Sequence, residues 1–295
     1  MTKITLLTTL LLHLGAQFTH AQDKPKIAWE LTDGIKAPES AYLDAKSGSL
    51  FLSQIGAGGG TGKDGDGWIS KLTVDGAVVT DKWFTGLNAP KGLRSAEGVL
   101  WVSDIDRLVG INIETGKTHH IHTIEGAQFL NDVAAGADGT IYVSDMPTST
   151  IYQLKDGKIS VLDKGQHLDS PNGLLATNGQ LLIAGWGKEL DASFGVKKPG
   201  RLLSFDLMTK KVTAITAEPT GNLDGLELDG KGGYFVTDWI AGKIFHITAK
   251  GAATTIMTLP KGTADHAYLP DKKLLILPRM MENKVTAYDL SGFKP

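Results

Sequence analysis

The sequence predicts an all-β fold, a six-bladed β-propeller with four antiparallel strands in each blade. Six segments share one pattern, in which a short strand, a turn rich in Gly or Asp and a second strand follow each other. Once two insertions are set aside, the segments recur at a period of roughly 40 residues, which is typical of propeller blades. Helical periodicity is nowhere sustained. The six segments begin at Pro38, Pro90, Leu130, Pro171, Leu223 and Ala264.

Before the first repeat, residues 1–21 have the pattern of a signal peptide. Lys3 gives a positive start, residues 4–14 form an apolar run too short to span a bilayer, and Ala21 ends a small-residue cleavage site. An N-terminal helix of the fold is the alternative. The signal-peptide interpretation predicts an exported protein, periplasmic or secreted, whose mature domain comprises residues 22–295.

Composition excludes several classes of protein. The 295 residues are 41% hydrophobic, which is enough for the core of one large β domain. The 30 Lys and Arg residues nearly balance the 32 Asp and Glu residues, so no basic field favours nucleic acid. The absence of Cys excludes disulfides and thiolate chemistry. Nothing after the leader is apolar enough to span a membrane, and we expect a monomer.

The third unit shows the four strands of a blade most clearly, at residues 133–135, 140–144, 150–155 and 158–162. Asp-Gly pairs punctuate them, as hairpins require. The sixth unit contains only three strands. Residues 26–31 supply a spare strand, and we expect it to complete the sixth blade, because closure of the ring removes an exposed sheet edge. Two insertions, residues 55–67 and 186–200, are expected to form a rim and a lid at one mouth of the channel.

One polar residue recurs where the first strand of each unit begins. In a propeller this strand lines the central channel, so six polar side chains should converge on one axis. Carboxylate and carboxamide oxygens are ligands for hard divalent cations, above all Ca²⁺, with Zn²⁺, Mn²⁺ or Mg²⁺ as alternatives. The alternative interpretation is that Asn or Asp before Gly only forms turns. The six residues of this ring are Glu39, Lys91, Asn131, Asn172, Asp224 and Asp265.

The chain resembles the senescence marker protein, regucalcin and gluconolactonase family of calcium-dependent six-bladed propellers. The residues that carry the resemblance are Pro38-Glu39, Asn131-Asp132, Pro171-Asn172-Gly173 and Asp224-Gly225. The resemblance covers essentially the whole mature chain. It implies that Glu39, Asn172 and Asp224 hold a metal ion, and that Asn131 ligates the metal or binds substrate. It also implies hydrolysis of a lactone or related ester.

A metal-dependent hydrolase of this kind needs a general base beside the metal. Asp224 is the candidate that the resemblance implies, but a carboxylate bound to a cation is a poor base, so Asp265 is the second candidate. A propeller that keeps the metal and binds a small ligand or a protein without turnover is the alternative function.

Other residues are expected to contact the small-molecule substrate. Lys91 either binds a substrate carboxylate or pairs with Glu39 or Asp265. His266 either acts as a proton shuttle or is hydrogen-bonded within the fold. The loops at the same mouth contribute three further candidates, Trp186, Trp239 and Arg279.

Two further motifs lie outside this ring. The Asp residues that close the second strands, Asp104, Asp145 and Asp238, are expected to cap backbone amides. The segment THHIHTI carries His119, His120 and His122 on an outer strand. Strand alternation places His120 and His122 on one face and His119 on the other. This cluster either binds a metal at the surface or forms a solvated edge.

Overall fold

Four-stranded antiparallel sheets, six in number, make up the computed structural model, which describes residues 25–294. The sheets form the blades of a propeller, and the predicted fold class is confirmed. The proposed signal peptide lies outside the described residues. None of the described helices is long and apolar enough to cross a bilayer.

The strands follow each other in chain order with short connections. The first blades contain β1 (Lys26–Leu31), β2 (Pro38–Asp44), β3 (Ser49–Gln54), β4 (Gly67–Leu72), β5 (Val78–Leu87), β6 (Pro90–Ala96), β7 (Val99–Asp104), β8 (Arg107–Asn112) and β9 (Thr118–Thr123). The middle blades contain β10 (Leu130–Ala135), β11 (Ile141–Asp145), β12 (Thr150–Lys155), β13 (Lys158–Lys164), β14 (Pro171–Thr177), β15 (Gln180–Gly185), β16 (Gly187–Lys188), β17 (Lys198–Pro199), β18 (Leu202–Asp206) and β19 (Val212–Ala214). The last blades contain β20 (Leu223–Leu228), β21 (Tyr234–Asp238), β22 (Lys243–Ile247), β23 (Ala253–Thr258), β24 (Ala267–Leu269), β25 (Leu274–Arg279) and β26 (Lys284–Asp289). Two single-turn 3₁₀ helices cover Gln166–Leu168 and Met280–Glu282.

Each blade is a sheet of sequential strands. Blades 1 to 5 have the strand orders β2-β3-β4-β5, β6-β7-β8-β9, β10-β11-β12-β13, β14-β15-β18-β19 and β20-β21-β22-β23. The second insertion forms the small hairpin β16–β17 between two strands of blade 4. Second strands such as β7 are buried along their whole length, whereas outer strands such as β9 are mostly exposed. This gradient follows because each sheet is covered on both faces by its neighbours except at its outer edge.

The sixth blade is completed by the first strand of the fold. Its order is β24-β25-β26-β1, with Lys26 opposite Asp289 and Leu31 opposite Val285 in an antiparallel pair. The predicted closure is therefore confirmed. The indole Nε1 of Trp29 also donates a hydrogen bond to the carbonyl oxygen of Val74 at 3.1 Å, which ties the closing strand to blade 1.

Apolar side chains fill the spaces between neighbouring blades. Six clusters of buried residues in the described chain each combine side chains from two adjacent blades. For example, Leu52 of blade 1 shares a cluster with Ile276 of blade 6, and Phe51 shares another with Leu100 of blade 2. The core is therefore a ring of interfaces around the axis, and each blade depends on both of its neighbours.

The inner strands of blades 1 to 5 share a bulge next to their first residue. In blade 5, for example, Leu223 pairs with Asp238 and the next pair is Leu226 with Val236, so two residues stand opposite one. The register shifts at the same place in the other four. A bulge bends a strand and redirects a side chain. Here the redirected residue is the polar residue of the ring.

The turn interpretation of the Asn-Gly and Asp-Gly pairs is wrong. Asn172-Gly173 lies within β14 and Asp224-Gly225 lies within β20. A Cβ atom at Gly173 would overlap the carbonyl oxygen of Asp224 in the next blade, and one at Gly225 would lie 2.7 Å from the Cα of Asp265. Gly is needed at these positions because adjacent inner strands approach each other closely.

The expected capping role of the strand-closing Asp residues is confirmed by their contacts. The carboxylate of Asp104 accepts the backbone N–H of Ala89 at 2.8 Å, and that of Asp145 accepts the N–H of Phe129 at 2.8 Å. Asp238 accepts the N–H of Ala241 at 2.9 Å. These carboxylates shape the loops and take no part in the ring.

We predict that Gly173→Ala destabilises the protein by about 1–3 kcal/mol, the usual cost of overpacking, because the new methyl group displaces the neighbouring inner strand. Urea unfolding followed by tryptophan fluorescence measures the loss. Gly292→Ala is the matched control, since no atom lies within 4 Å of a Cβ at that position. Equal stability of the two variants would contradict the close approach of blades 4 and 5.

Candidate metal and active site

The ring residues lie together around one end of the channel, where the inner strands begin. All six are at most 6% exposed. The charges of Asp224 and Asp265 both act on Glu39, which shows that the structure brings these three carboxyl groups close to one another. The structure thus gathers side chains that are far apart in the sequence.

Hydroxyl groups on the second strands hold the bulges in place. In blade 3, Ser144 Oγ accepts the backbone N–H of Asp132 at 2.9 Å and donates to the carbonyl oxygen of Asn172 in blade 4 at 2.7 Å. Thr237 of blade 5 makes the same pair of contacts, to its own bulge and to blade 6. One hydroxyl therefore fixes a bulge and the start of the next inner strand.

Two oxygen atoms of the ring, Glu39 Oε2 and Asn172 Oδ1, are buried without a hydrogen-bond partner among residues 25–294. The carboxylate of Asp224 receives no hydrogen bond from the described residues. Buried acceptors are normally satisfied, because an unsatisfied one costs about 1–3 kcal/mol. Carboxylate and carboxamide oxygens are the ligands that Ca²⁺ prefers. These three side chains therefore fit a hard divalent cation.

The candidate ligand set is mixed in chemical type. It consists of two carboxylates, Glu39 and Asp224, and two carboxamides, Asn131 and Asn172. Among residues 25–294, no group of three or more His, Cys, Asp or Glu side chains is arranged to hold a metal ion. A site at the ring would therefore depend on its two amides as well as its two acids.

The site carries an excess of acidic groups. Burial raises the pKa of Glu39, of Asp224 and of Asp265 well above the ordinary values. The pKa of Glu39 is raised further by the charge of Asp224, and the pKa values of Asp224 and Asp265 are raised further by the charge of Asp132. Asp132, which lies beside the ring, has a pKa raised to about 6 by burial. Mutual repulsion of this kind is relieved by protons or by a bound cation.

Lys91 does not make the ion pair that was expected with Glu39 or Asp265. Its ammonium group donates to the carbonyl oxygen of Ala89 at 2.9 Å and lies 4.2 Å from the ring centre of Phe129. Burial lowers the pKa of Lys91 to about 8. With a side chain only 1% exposed, Lys91 does not present its ammonium group to a substrate carboxylate in this structure.

His266 and Asp265 have different environments. Both ring nitrogens of His266 are buried without a hydrogen-bond partner in the described part of the chain, so the hydrogen-bonded alternative is not observed. Burial lowers the pKa of His266 to about 3, which keeps the imidazole neutral. Asp265 accepts the hydroxyl of Ser40 at 2.5 Å and the backbone N–H of His266 at 2.9 Å. Asp265 is thereby held in a fixed orientation between blades 6 and 1.

A charged pair deeper in the channel was not anticipated from the sequence. Arg94 of blade 2 and Glu227 of blade 5 form an ion pair of 2.9 Å between opposite blades. Arg94 follows Lys91 by three positions, and Glu227 follows Asp224 by three positions. This common spacing is the sequence signal that could have predicted the pair. Asp132 carries part of the family resemblance but was not predicted to be a site residue. Its carboxylate accepts the N–H of Leu174 in blade 4 at 2.6 Å.

The two insertions meet over the mouth of the channel. Phe194 of the second insertion packs on Phe129, with ring centres 4.9 Å apart. A Cβ atom at Gly60 of the first insertion would contact the same ring at 3.6 Å. Phe129 is therefore contacted by both insertions above Lys91, and the six polar ring residues beneath it are at most 6% exposed.

The remaining predicted substrate contacts are partly brought together. Trp186 and Trp239 lie with ring centres 6.2 Å apart, and Trp186 Nε1 donates to the carbonyl oxygen of Phe194 in the lid at 3.0 Å. Arg279 instead forms a local ion pair with Glu282. The two Trp side chains thus lie beside the lid. The guanidinium of Arg279 is paired with Glu282 and is not free to contact a substrate.

Comparisons with known proteins agree with this architecture. The solved structures that resemble the chain include a gluconolactonase from Xanthomonas campestris, at a TM-score of 0.66 and 16% identity over 90% of this chain and 95% of that one. They also include an inactive variant of virginiamycin B lyase from Staphylococcus aureus with quinupristin, at a TM-score of 0.59 and 14% identity over 89% and 98% of the two chains. No curated protein matches the sequence significantly.

The profile described as the SMP-30/Gluconolactonase/LRE-like region matches residues 37–277. This match begins at the first inner strand, extends into blade 6 and includes every residue of the ring. The chain therefore belongs to the SMP-30/gluconolactonase/LRE-like family of six-bladed propellers.

Proposed function

We propose that this protein is a Ca²⁺-dependent lactonase that opens a sugar lactone or a related cyclic ester at the mouth of its channel. The observation that carries the proposal is the pair of buried, unpartnered oxygens on Glu39 and Asn172 beside the free carboxylate of Asp224. Membership of a family that includes gluconolactonases supports the choice of substrate.

In this proposal Glu39, Asn131, Asn172 and Asp224 hold the cation. When bound, a divalent cation of this kind acts as a Lewis acid toward an ester carbonyl. The carboxamide of Asn131 lies at the same end of the channel and would orient substrate oxygens. The neutral imidazole of His266, whose two nitrogens have no hydrogen-bond partner among the described residues, would relay a proton by donating its N–H proton while its other nitrogen accepts one.

Asp265 is the general base in this proposal. The hydroxyl of Ser40 and the N–H of His266 hold its carboxylate in one orientation, as a base requires. Burial raises its pKa well above that of an exposed Asp, which makes the carboxylate a stronger base. Asp224, by contrast, has the free oxygens of a ligand.

In this proposal the lid moves to admit the substrate. Phe194 packs on Phe129 at the mouth, and the ring residues beneath are at most 6% exposed. We place Trp186 and Trp239 at the edge of the opened lid, where they would contact the apolar faces of a substrate ring.

We predict that Asp224→Asn and Glu39→Gln each abolish Ca²⁺ binding in calorimetric titrations and lower lactone turnover by at least about 10²-fold. Turnover is measured with a panel of lactones in the presence of Ca²⁺, Zn²⁺, Mn²⁺ or Mg²⁺, and is compared with that of a sample treated with a chelator. Asp106→Asn is the control, because Asp106 pairs with Lys63 on the rim at 2.6 Å and lies outside the ring.

A fully active Asp224→Asn variant would contradict the metal assignment. Wild-type protein that binds Ca²⁺ but turns over no lactone would instead support the alternative, a propeller that binds a ligand without catalysis. Product analysis matters as well, since the structural neighbours include both a gluconolactonase and lyases, and the fold alone does not select between hydrolysis and elimination.

We predict that Asp265→Asn keeps Ca²⁺ binding but lowers kcat by about 10²–10⁴-fold, the usual contribution of a positioned general base. The substitution preserves shape and an oxygen acceptor for Ser40, so the fold should persist. Stopped-flow measurement of proton release at saturating lactone tests it. Unchanged kcat would mean that Asp265 only ties blade 6 to blade 1.

A further inference from the structure

The histidine cluster of blade 2 differs from the alternation that its sequence predicts. On β9, His120 pairs with Gly110, but the next pair is Thr118 with Ile111, so His119 is an extra, bulged residue. As a result the imidazoles of His119 and His122 both lie near the same indole, with ring centres 6.3 Å and 6.0 Å from that of Trp101. The expectation that His119 lies on the opposite face is therefore wrong.

The neighbouring strands are shaped to bring the indole to these imidazoles. Trp101, Gly110 and His120 form one cross-strand row. A Cβ atom at Gly110 would lie 2.9 Å from the Trp101 ring, so the absence of a side chain there lets the indole lie across the third strand. His122 packs against this indole. The His122 imidazole is therefore held by contact with Trp101, unlike a side chain on an outer strand that contacts only solvent.

The cluster opens into a cleft between blades 2 and 3. The cleft has a volume of about 430 Å³, and its lining includes the three imidazoles, Trp101 and three acidic residues, Glu97, Asp138 and Asp156. Asp138 is paired with Lys155 at 3.0 Å, whereas Glu97 and Asp156 form no ion pair with the described residues. The cleft is accessible to solvent, whereas the ring residues of the channel are at most 6% exposed.

We propose that His120 and His122 bind a nitrogen-preferring divalent transition metal ion, Cu²⁺ in preference to Ni²⁺ or Zn²⁺, in this cleft. Their ring centres are 4.1 Å apart on alternate residues of one strand face, which lets two imidazole nitrogens reach one ion. Imidazole suits Cu, Ni and Zn, and the Irving–Williams order places Cu²⁺ highest. Water molecules complete the coordination, because only two side chains supply ligands.

This second site is chemically independent of the ring. The ring offers only oxygen ligands, which suit Ca²⁺, whereas the cleft offers imidazole nitrogens. Excess Ca²⁺ should therefore not displace Cu²⁺ from the cleft, and Asp224→Asn should leave Cu²⁺ binding unchanged. Failure of the lactonase proposal would not affect this one.

The test is a CuCl₂ titration of the untagged protein, read by tryptophan fluorescence and by electron paramagnetic resonance. Wild-type protein should show saturable binding, quenching of Trp101 and nitrogen hyperfine structure from two imidazoles. His120→Gln and His122→Gln should each lose saturable binding. His119→Gln, in the same cleft, and His167→Gln, paired with Asp163 elsewhere on the surface, are the controls that should keep it.

Trp101→Phe separates binding from its optical signal: quenching should fall while the resonance spectrum persists. The proposal is overturned if wild-type protein shows no saturable Cu²⁺ binding, or if His120→Gln and His122→Gln bind as wild type does. Equal loss in His119→Gln would overturn the two-histidine assignment. Since all three His side chains lie on an exposed outer strand, circular dichroism should show that each variant is folded.

Discussion

The rest of the structure depends on one constraint: four acidic side chains must be buried together around one axis. Glu39, Asp132, Asp224 and Asp265 are each at most 6% exposed, and each would be more stable in water as an ion. Hydrogen bonds to Asp132 and Asp265 and the nearby charges of Lys91 and Arg94 offset part of this cost. Glu39 Oε2 and the carboxylate of Asp224 receive no hydrogen bond from residues 25–294, and the proposed cation site rests on these oxygens.

Such a cluster can be assembled only where inner strands approach each other closely. Glycines after the ring residues, such as Gly173 and Gly225, remove the side chains that would keep neighbouring blades apart. Hydroxyls on the second strands, such as Ser144, then join one blade to the next. The apolar interfaces hold the blades laterally, while these small polar contacts position the start of each inner strand. Stability and site geometry therefore arise from different residues of the same strands.

The sequence predicted features that depend on period and position along the chain. The number of blades, the closing strand at residues 26–31 and the common location of the six ring residues all follow from repeat spacing. Features that depend on distances between blades could not be predicted. Lys91 was expected either to bind a substrate carboxylate or to pair with an acid, but its ammonium group donates to the carbonyl oxygen of Ala89 in its own loop. His266 was expected either to act as a proton shuttle or to be hydrogen-bonded, and neither of its ring nitrogens has a hydrogen-bond partner among residues 25–294.

Bulges explain a second group of differences. Strand alternation assumes a regular pleat, and one extra residue reverses the face of everything on one side of it. This effect moved His119 toward Trp101 and placed the Asn-Gly and Asp-Gly pairs inside strands. The pair of Arg94 and Glu227 shows a further limit, because it joins opposite blades across the channel and no single unit contains both partners.

The closing strand has a consequence for how the chain folds. β1 and β26 are the first and last strands of residues 25–294, yet they pair from Lys26 opposite Asp289 to Leu31 opposite Val285. The strands of each of blades 1 to 5 come from one continuous stretch of sequence, but blade 6 cannot form until both β1 and β26 are available. Contacts of such large sequence separation are slow to form. Synthesis of β26 is therefore the step that permits the ring of blades to close, and loss of either β1 or β26 would leave blade 6 incomplete.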